Sequence, residues 1–168
     1  MIKTIDKVIL IVILLVSIAV LFFVFISEFV FGFESCLLCQ YQRIPYFAVI
    51  LFAGLALHIK IIDQRAVLTL IGIIFVFGAA IAVYHVGTEQ HLWNAATCGA
   101  PQKLPSSFES FKTGLNGKIP KRCDEINWTF LGLSMAAYNI LFSTFLALLC
   151  FAGDKCCWNI KLRIKEKD

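Results

Sequence analysis

From Val8 to Ser27 the chain runs for twenty residues without a charged side chain. A helix of that length rises about 30 Å, the thickness of a bilayer's hydrocarbon core. The stretch is longer than the apolar region of a secretory signal, and no small-residue cleavage pattern follows it. It reads as a first membrane span. Three more stretches read as spans: Ile44–Ile62, with His58 and Lys60 near its inner end where the lysine can snorkel toward water, Ala66–Val86 and Thr129–Phe151. One Asp, Lys or Arg at the centre of a span costs about 2.5–3.5 kcal/mol, and none of the four carries one near its middle. Composition agrees, with 60% hydrophobic and 15% charged residues where a soluble domain has about 45–50% and about 25%. The expected fold is an all-α membrane protein, a single domain built as a four-transmembrane-helix bundle.

Lysine and arginine set the expected orientation. Nine of them (Lys3, Lys7, Lys60, Arg65, Lys155, Lys161, Arg163, Lys165, Lys167) fall at the two termini and the loop between the second and third spans. The other face carries Lys103, Lys112, Lys118, Lys121 and Arg122, with Arg43 at a span boundary. The positive-inside rule therefore puts both termini in the cytoplasm, with a tail over 152–168 and a long outer loop over 87–127. Trp93 and Trp128 then lie on the outer side and Trp158 in the inner tail, as interfacial rings. No basic stripe interleaved with aromatics is present, which sets nucleic-acid binding aside.

That topology sorts the seven cysteines. Cys36, Cys39, Cys98 and Cys123 face outward, where disulfides persist. Cys150, Cys156 and Cys157 face the reducing side and are expected to be free thiols. Cys36-Leu37-Leu38-Cys39 is a C-x-x-C placed just before the second span, a spacing that suits a reducible disulfide, and a nearby helix N-terminus lowers a thiol pKa. It equally suits half of a metal site. Arg43 stands where the helix dipole prefers an anion, and a broken local rule of this kind tends to mark a functional site; snorkelling to lipid phosphates would also account for it. Pro45 suits the first turn of the second span. His85 closes the third span at about the depth of Arg43, where a lone helical histidine is more often structural than functional; Tyr84 and Glu89 are read in the same way. In the outer loop, Ser106-Ser107-Phe108-Glu109 reads as a capping box opening a short amphipathic surface helix. Gly114, Asn116, Gly117 and Pro120 then form a flexible return to Cys123.

The chain resembles the disulfide bond formation protein B family, DsbB. The resemblance rests on Cys36-Leu-Leu-Cys39-Gln-Tyr-Gln-Arg43-Ile-Pro45-Tyr46, on Tyr84-His85, on the loop cysteines and on the stretch from Cys123 through Trp128 and Gly132 to Met135. It implies a quinone-linked thiol oxidase of the bacterial inner membrane. Cys36–Cys39 would exchange electrons with ubiquinone or menaquinone, with Cys39 touching the quinone and Arg43 and His85 binding it. Cys98–Cys123 would oxidise a periplasmic thioredoxin-fold oxidase of the DsbA type, Cys98 forming the mixed disulfide. The DsbA–DsbB–quinone system is the standing example of a compartment kept oxidising kinetically rather than by a thiol buffer.

Two other readings compete. A vitamin K epoxide reductase-like enzyme runs related chemistry, but its quinone-facing C-x-x-C lies late in the bundle, whereas here it precedes the second span. A non-enzymatic membrane protein could hold zinc on Cys36, Cys39, Cys98 and Cys123, although their spacing matches no familiar finger.

Overall fold

The computed structural model describes residues 2–33, 35–59, 63–93, 122–124, 126 and 128–165, with the backbone alone at 2–4 and 154–165. A helix apolar on every face belongs in a protein interior or in lipid. The first helix, α1 (Ile2–Phe29), is of this kind. Its inner face is Asp6, Leu10, Ile13, Ser17 and Leu21, at helical spacing and buried. Its outer face shows Val8, Ile11, Leu15, Ile18 and Phe22, all exposed. Each such side chain left in water forgoes about 1.5–3 kcal/mol. Facing hydrocarbon they forgo nothing.

After α1 come a five-residue helix α2 (Leu37–Tyr41), then α3 (Ile44–His58), α4 (Gln64–Glu89) and α5 (Met135–Lys165). A two-stranded hairpin, β1 (Thr129–Phe130) with β2 (Leu133–Ser134), precedes α5. α1, α4 and the Met135–Gly153 part of α5 are each long and apolar enough to cross a bilayer. This is a mostly helical membrane protein. Its described helices pack in the cyclic order α1, α3, α4, α5, around a core that includes Leu10, Ile13, Val49, Ala53, Leu68, Ile71, Phe75 and Leu146.

Small residues set the closest approaches. A Cβ on Gly78 would lie 3.1 Å from Pro45 Cγ, and one on Gly72 would lie 2.9 Å from the Phe151 ring. Gly78 thereby lets the proline of α3 sit against α4, and Gly72 lets α5 lie close to α4. Ion pairs mark the two ends of the bundle: Arg65–Asp6 joins α4 to α1 at one end, and Arg43–Glu28 joins α3 to α1 at the other. The C-terminal ends of α1 and α4 therefore meet the N-terminal ends of α3 and α5.

Several expected boundaries move. The stretch expected to be helical from Thr129 is a hairpin, and α5 begins only at Met135. Leu131 and Gly132 both have positive φ, 50° and 79°, which is the two-residue turn that joins tightly paired strands and cannot continue a right-handed helix. Ser134 then opens α5, its Oγ accepting the Ala137 N–H at 3.3 Å. The second expected span, 44–62, has its helix at Ile44–His58. Asp63 caps α4 by accepting the Arg65 N–H. The capping box at Ser106, the expected surface helix, Cys98 and the side chains of Cys156, Cys157 and Trp158 lie outside the described residues. Trp93 folds back over Gly87, stacks on Tyr84 and donates from Nε1 to the Tyr84 carbonyl at 3.0 Å.

Candidate active site

The C-x-x-C is shaped by α2. Cys36 is its N-cap, with extended backbone, and its sulfur accepts the Cys39 N–H at 3.3 Å. One helical turn then brings Cys39 round so that the two sulfurs lie 2.9 Å apart. Both thiols are free. A hydrogen bond from the Cys39 thiol, acting against burial and helped by His85 and the Cys39 N–H, holds the Cys36 thiol far below its ordinary range, at about 4. Cys39 shifts upward, because its proton is held toward Cys36 and because it is buried. The helix that begins beside this pair is the short α2, one residue after Cys36, rather than the expected second span, whose helix α3 begins at Ile44.

His85 reaches the pair from α4. Its Nε2 is 3.5 Å from Cys36 Sγ and 3.8 Å from Glu89 Oε1, one turn further along. Glu89 accepts from Ser134 Oγ at 2.5 Å. The other ring nitrogen, Nδ1, meets Gln42 Nε2 at 2.8 Å. Gln42 is held in turn by Asn139, whose Nδ2 donates to Gln42 Oε1 at 2.8 Å.

Arg43 occupies the N-cap of α3 with no side-chain cap bond, and Pro45 lies in the first turn. Its guanidinium pairs with Glu28 at 2.6 Å and lies over the Phe25 ring. Ser35 donates to the other Glu28 oxygen at 2.8 Å. The carboxylate of Glu28 offsets the charge that the dipole of α3 disfavours there. Arg43 Nε is buried with no hydrogen-bond partner among the described residues.

Beyond the sulfurs a cavity of about 840 Å³ opens between α1, α3 and α5. Cys36, Cys39, Arg43, His85 and Glu89 share its lining with Val16, Val20, Phe23 and Phe142 from the apolar faces of α1 and α5. On the protein side Cys123 is fully buried against Cys36 and Leu38, and it is disulfide-bonded. Of the six site residues named from the sequence, five come together here. Cys98 lies outside the described residues.

Cys36, Cys39 and His85 present donor atoms within 4.8 Å of one another, a set that a thiophilic ion would accept. Of the four cysteines considered for a zinc site, Cys98 lies outside the described residues and Cys123 is disulfide-bonded in this arrangement. Glu28, Gln42 and Asn139 were not singled out by sequence reasoning. The available signal was a polar side chain within or at the edge of an apolar span, which is functional by default in a membrane.

The family model described as disulfide bond formation protein DsbB matches residues 6–153. A disulfide bond formation protein B of Xylella fastidiosa is 37% identical over 127 residues, covering 70% of this chain and 72% of that protein. One from Xanthomonas euvesicatoria is 35% identical over 133 residues, covering 74% and 76%. An uncharacterized protein of Rickettsia prowazekii is 29% identical over 150 residues, covering 88% and 86%. No solved structure matches the chain.

Proposed function

The chain belongs to the disulfide bond formation protein DsbB family, and from that premise we propose that it reoxidises a periplasmic DsbA-like dithiol and delivers the electrons to a membrane quinone. The observation that carries this reading is the position of the free Cys36–Cys39 pair. It lines a largely apolar cavity together with Arg43 and His85, and Cys123 packs against it from the other side. A prenylated ring fits such a cavity, and the Arg43 guanidinium on its wall offers donors for a carbonyl oxygen. Bound quinone supplies an acceptor for two electrons and two protons.

The sulfur chemistry follows as exchange. A thiolate of the reduced partner attacks Cys98, breaking the Cys98–Cys123 bond. The partner's second thiol resolves the mixed disulfide, leaving the partner oxidised and the loop pair reduced. Cys123 then attacks Cys36 of the inner disulfide and expels Cys39 as a thiolate beside the cavity. Attack of Cys98 on Cys123 re-forms the loop disulfide and leaves Cys36 and Cys39 reduced. Loss of two electrons and two protons to the acceptor returns the inner pair to a disulfide.

The same reading takes α3 as a fourth span, with both termini cytoplasmic, the cysteine pairs on the periplasmic side of the bacterial inner membrane, and a surface helix in the outer loop. Fifteen residues of α3 rise about 22 Å against a hydrocarbon core of about 30 Å. A hydrophobic stretch shorter than the core is accommodated by local thinning of the bilayer.

The test is turnover of the detergent-solubilised protein with a reduced thioredoxin-fold dithiol and either ubiquinone or menaquinone. Cys39→Ser is expected to abolish quinone reduction. Arg43→Ala is expected to raise the apparent quinone KM by about ten- to a hundredfold, the loss of a charge-assisted hydrogen bond of roughly 1.5–3 kcal/mol, while the KM for the dithiol stays put. Normal quinone reduction by Cys39→Ser would overturn the reading.

A further inference from the structure

Five polar side chains, four from three helices and one from the turn between α2 and α3, make a continuous run of hydrogen bonds inside an otherwise apolar bundle. Tyr46 OH and Ser143 Oγ both reach Asn139 Oδ1, at 2.7 and 3.2 Å. Asn139 Nδ2 reaches Gln42 Oε1 at 2.8 Å, and Gln42 Nε2 reaches His85 Nδ1 at 2.8 Å. His85 itself is 3% exposed and Gln42 7%. Buried polar groups in a membrane protein are expensive and tend to serve a function. A network with every member bonded also fixes one arrangement of its parts.

The sense of the run is decided at its histidine end. An amide offers a donor on one side and an acceptor on the other, and the tautomer of a histidine is set by what its other nitrogen meets. If Gln42 turned its oxygen to Nδ1, the ring proton would sit there. Nε2 would then present a lone pair to the Cys36 sulfur and the Glu89 carboxylate, both electron-rich. In the opposite sense the two hydroxyls donate to Asn139, Asn139 donates to Gln42, and Gln42 donates to Nδ1. The proton of His85 then lies on Nε2, toward Cys36. For a neutral ring, only this sense turns an N–H toward the side where the Cys36 sulfur and the Glu89 carboxylate both lie.

We infer that Gln42 and Asn139 are positioning residues that hold His85 in its Nε2–H tautomer, so that the ring is a fixed hydrogen-bond donor to the sulfur of Cys36. The inference deepens the proposed function in taking Cys36 as a redox thiol, but it requires neither quinone nor partner. The ionisable groups facing His85 are Cys36 and Cys39 from the α2 segment and Glu89 from its own helix. The Arg43–Glu28 pair of α3 and α1 lines the same cavity, and Tyr46 of α3 connects through the two amides.

The experiment uses the full-length reduced protein in detergent, without acceptor. Nitrogen-15 spectra of the imidazoles, with the His85 signals assigned by their loss in His85→Ala, are expected to show Nε2 protonated and Nδ1 bare. Thiolate absorbance against pH is expected to move upward by about one pH unit, a tenfold change in thiolate at the midpoint, in Gln42→Leu and in Asn139→Leu. Neither substitution is expected to add a shift in a His85→Ala background, the signature of action through the ring. A wild-type spectrum with the proton on Nδ1 would overturn the inference without need of any variant. So would an equal shift from Gln42→Leu with and without His85. Failure of quinone turnover in the earlier assay would leave both readouts intact.

Discussion

Two thiols three residues apart divide one proton unequally, and the reason is where each stands on a single helical turn. Cys36 is outside the turn, and its sulfur meets the Cys39 thiol, the Cys39 N–H and the His85 ring. Cys39 is inside the turn, its N–H directed at the sulfur of Cys36. The lowered value at Cys36 means that its thiolate is present above about pH 4 and is lost as pH falls through that value. Thiolate absorbance of the reduced protein is therefore expected to persist down to about pH 5. Cys39→Ala removes the largest of the lowering contributions and is expected to shift the midpoint upward. A midpoint unchanged by that substitution would show that the Cys39 thiol is not the main donor. Arg43 follows the same logic of neighbours. A cation misplaced on the dipole of α3 is held by Glu28, so the broken local rule is compensated by a residue fifteen positions earlier in the chain.

At the scale of elements, the terminus of α4 shows how the backbone brings a long apolar helix to an end. The N–H of His91 bonds to the Thr88 carbonyl and that of Leu92 to the Gly87 carbonyl, at 3.1 and 2.9 Å. This is the paired C-terminal motif that requires a left-handed residue between its bonds, and His91 occupies that position with φ 57°. A left-handed non-glycine residue costs about 1–2 kcal/mol. His91→Gly is expected to stabilise the protein by about 1 kcal/mol, read as a higher midpoint of thermal unfolding in detergent with quinone turnover unchanged. A lower midpoint would mean that the imidazole contributes more than the backbone strain costs. The motif keeps α4 helical through His85 and Glu89, so the two side chains stay one turn apart on one face.

For the whole molecule, alternation of helix direction gathers four chain ends at one pole. Glu28 closes α1, Arg43 opens α3, His85 and Glu89 close α4, and Ser134 and Asn139 open α5. Their contacts, Arg43–Glu28, His85–Gln42, Asn139–Gln42 and Ser134–Glu89, are what build the site. Under the proposed topology that pole faces the periplasm. Cys98 in a single-cysteine variant is expected to react with an impermeant maleimide in cells with an intact inner membrane, and Cys156 only after that membrane is breached. The reverse pattern would invert the orientation and remove access of the loop pair to a periplasmic partner.

Sequence by itself determined the solvent and the chemistry. Twenty uncharged residues at a stretch cannot be dissolved in water without loss, so lipid followed from Val8–Ser27 alone, and the C-x-x-C with Arg43 and His85 named the sulfur couple and its neighbours. These are local properties, written in composition and short spacing. What only the tertiary structure decided depends on contacts between distant parts of the chain. The Leu131–Gly132 turn takes the start of α5 away from Thr129, because the backbone there is left-handed while the side chains look like those of a span. The pairing of Arg43 with Glu28, the packing of Cys123 on Cys36 and the link from Asn139 through Gln42 to His85 each join residues from separate segments of the chain, so no periodicity carries them. Hydrophobicity acts on each residue separately and can be read along a line. A hydrogen bond needs two partners, and the fold chooses the second.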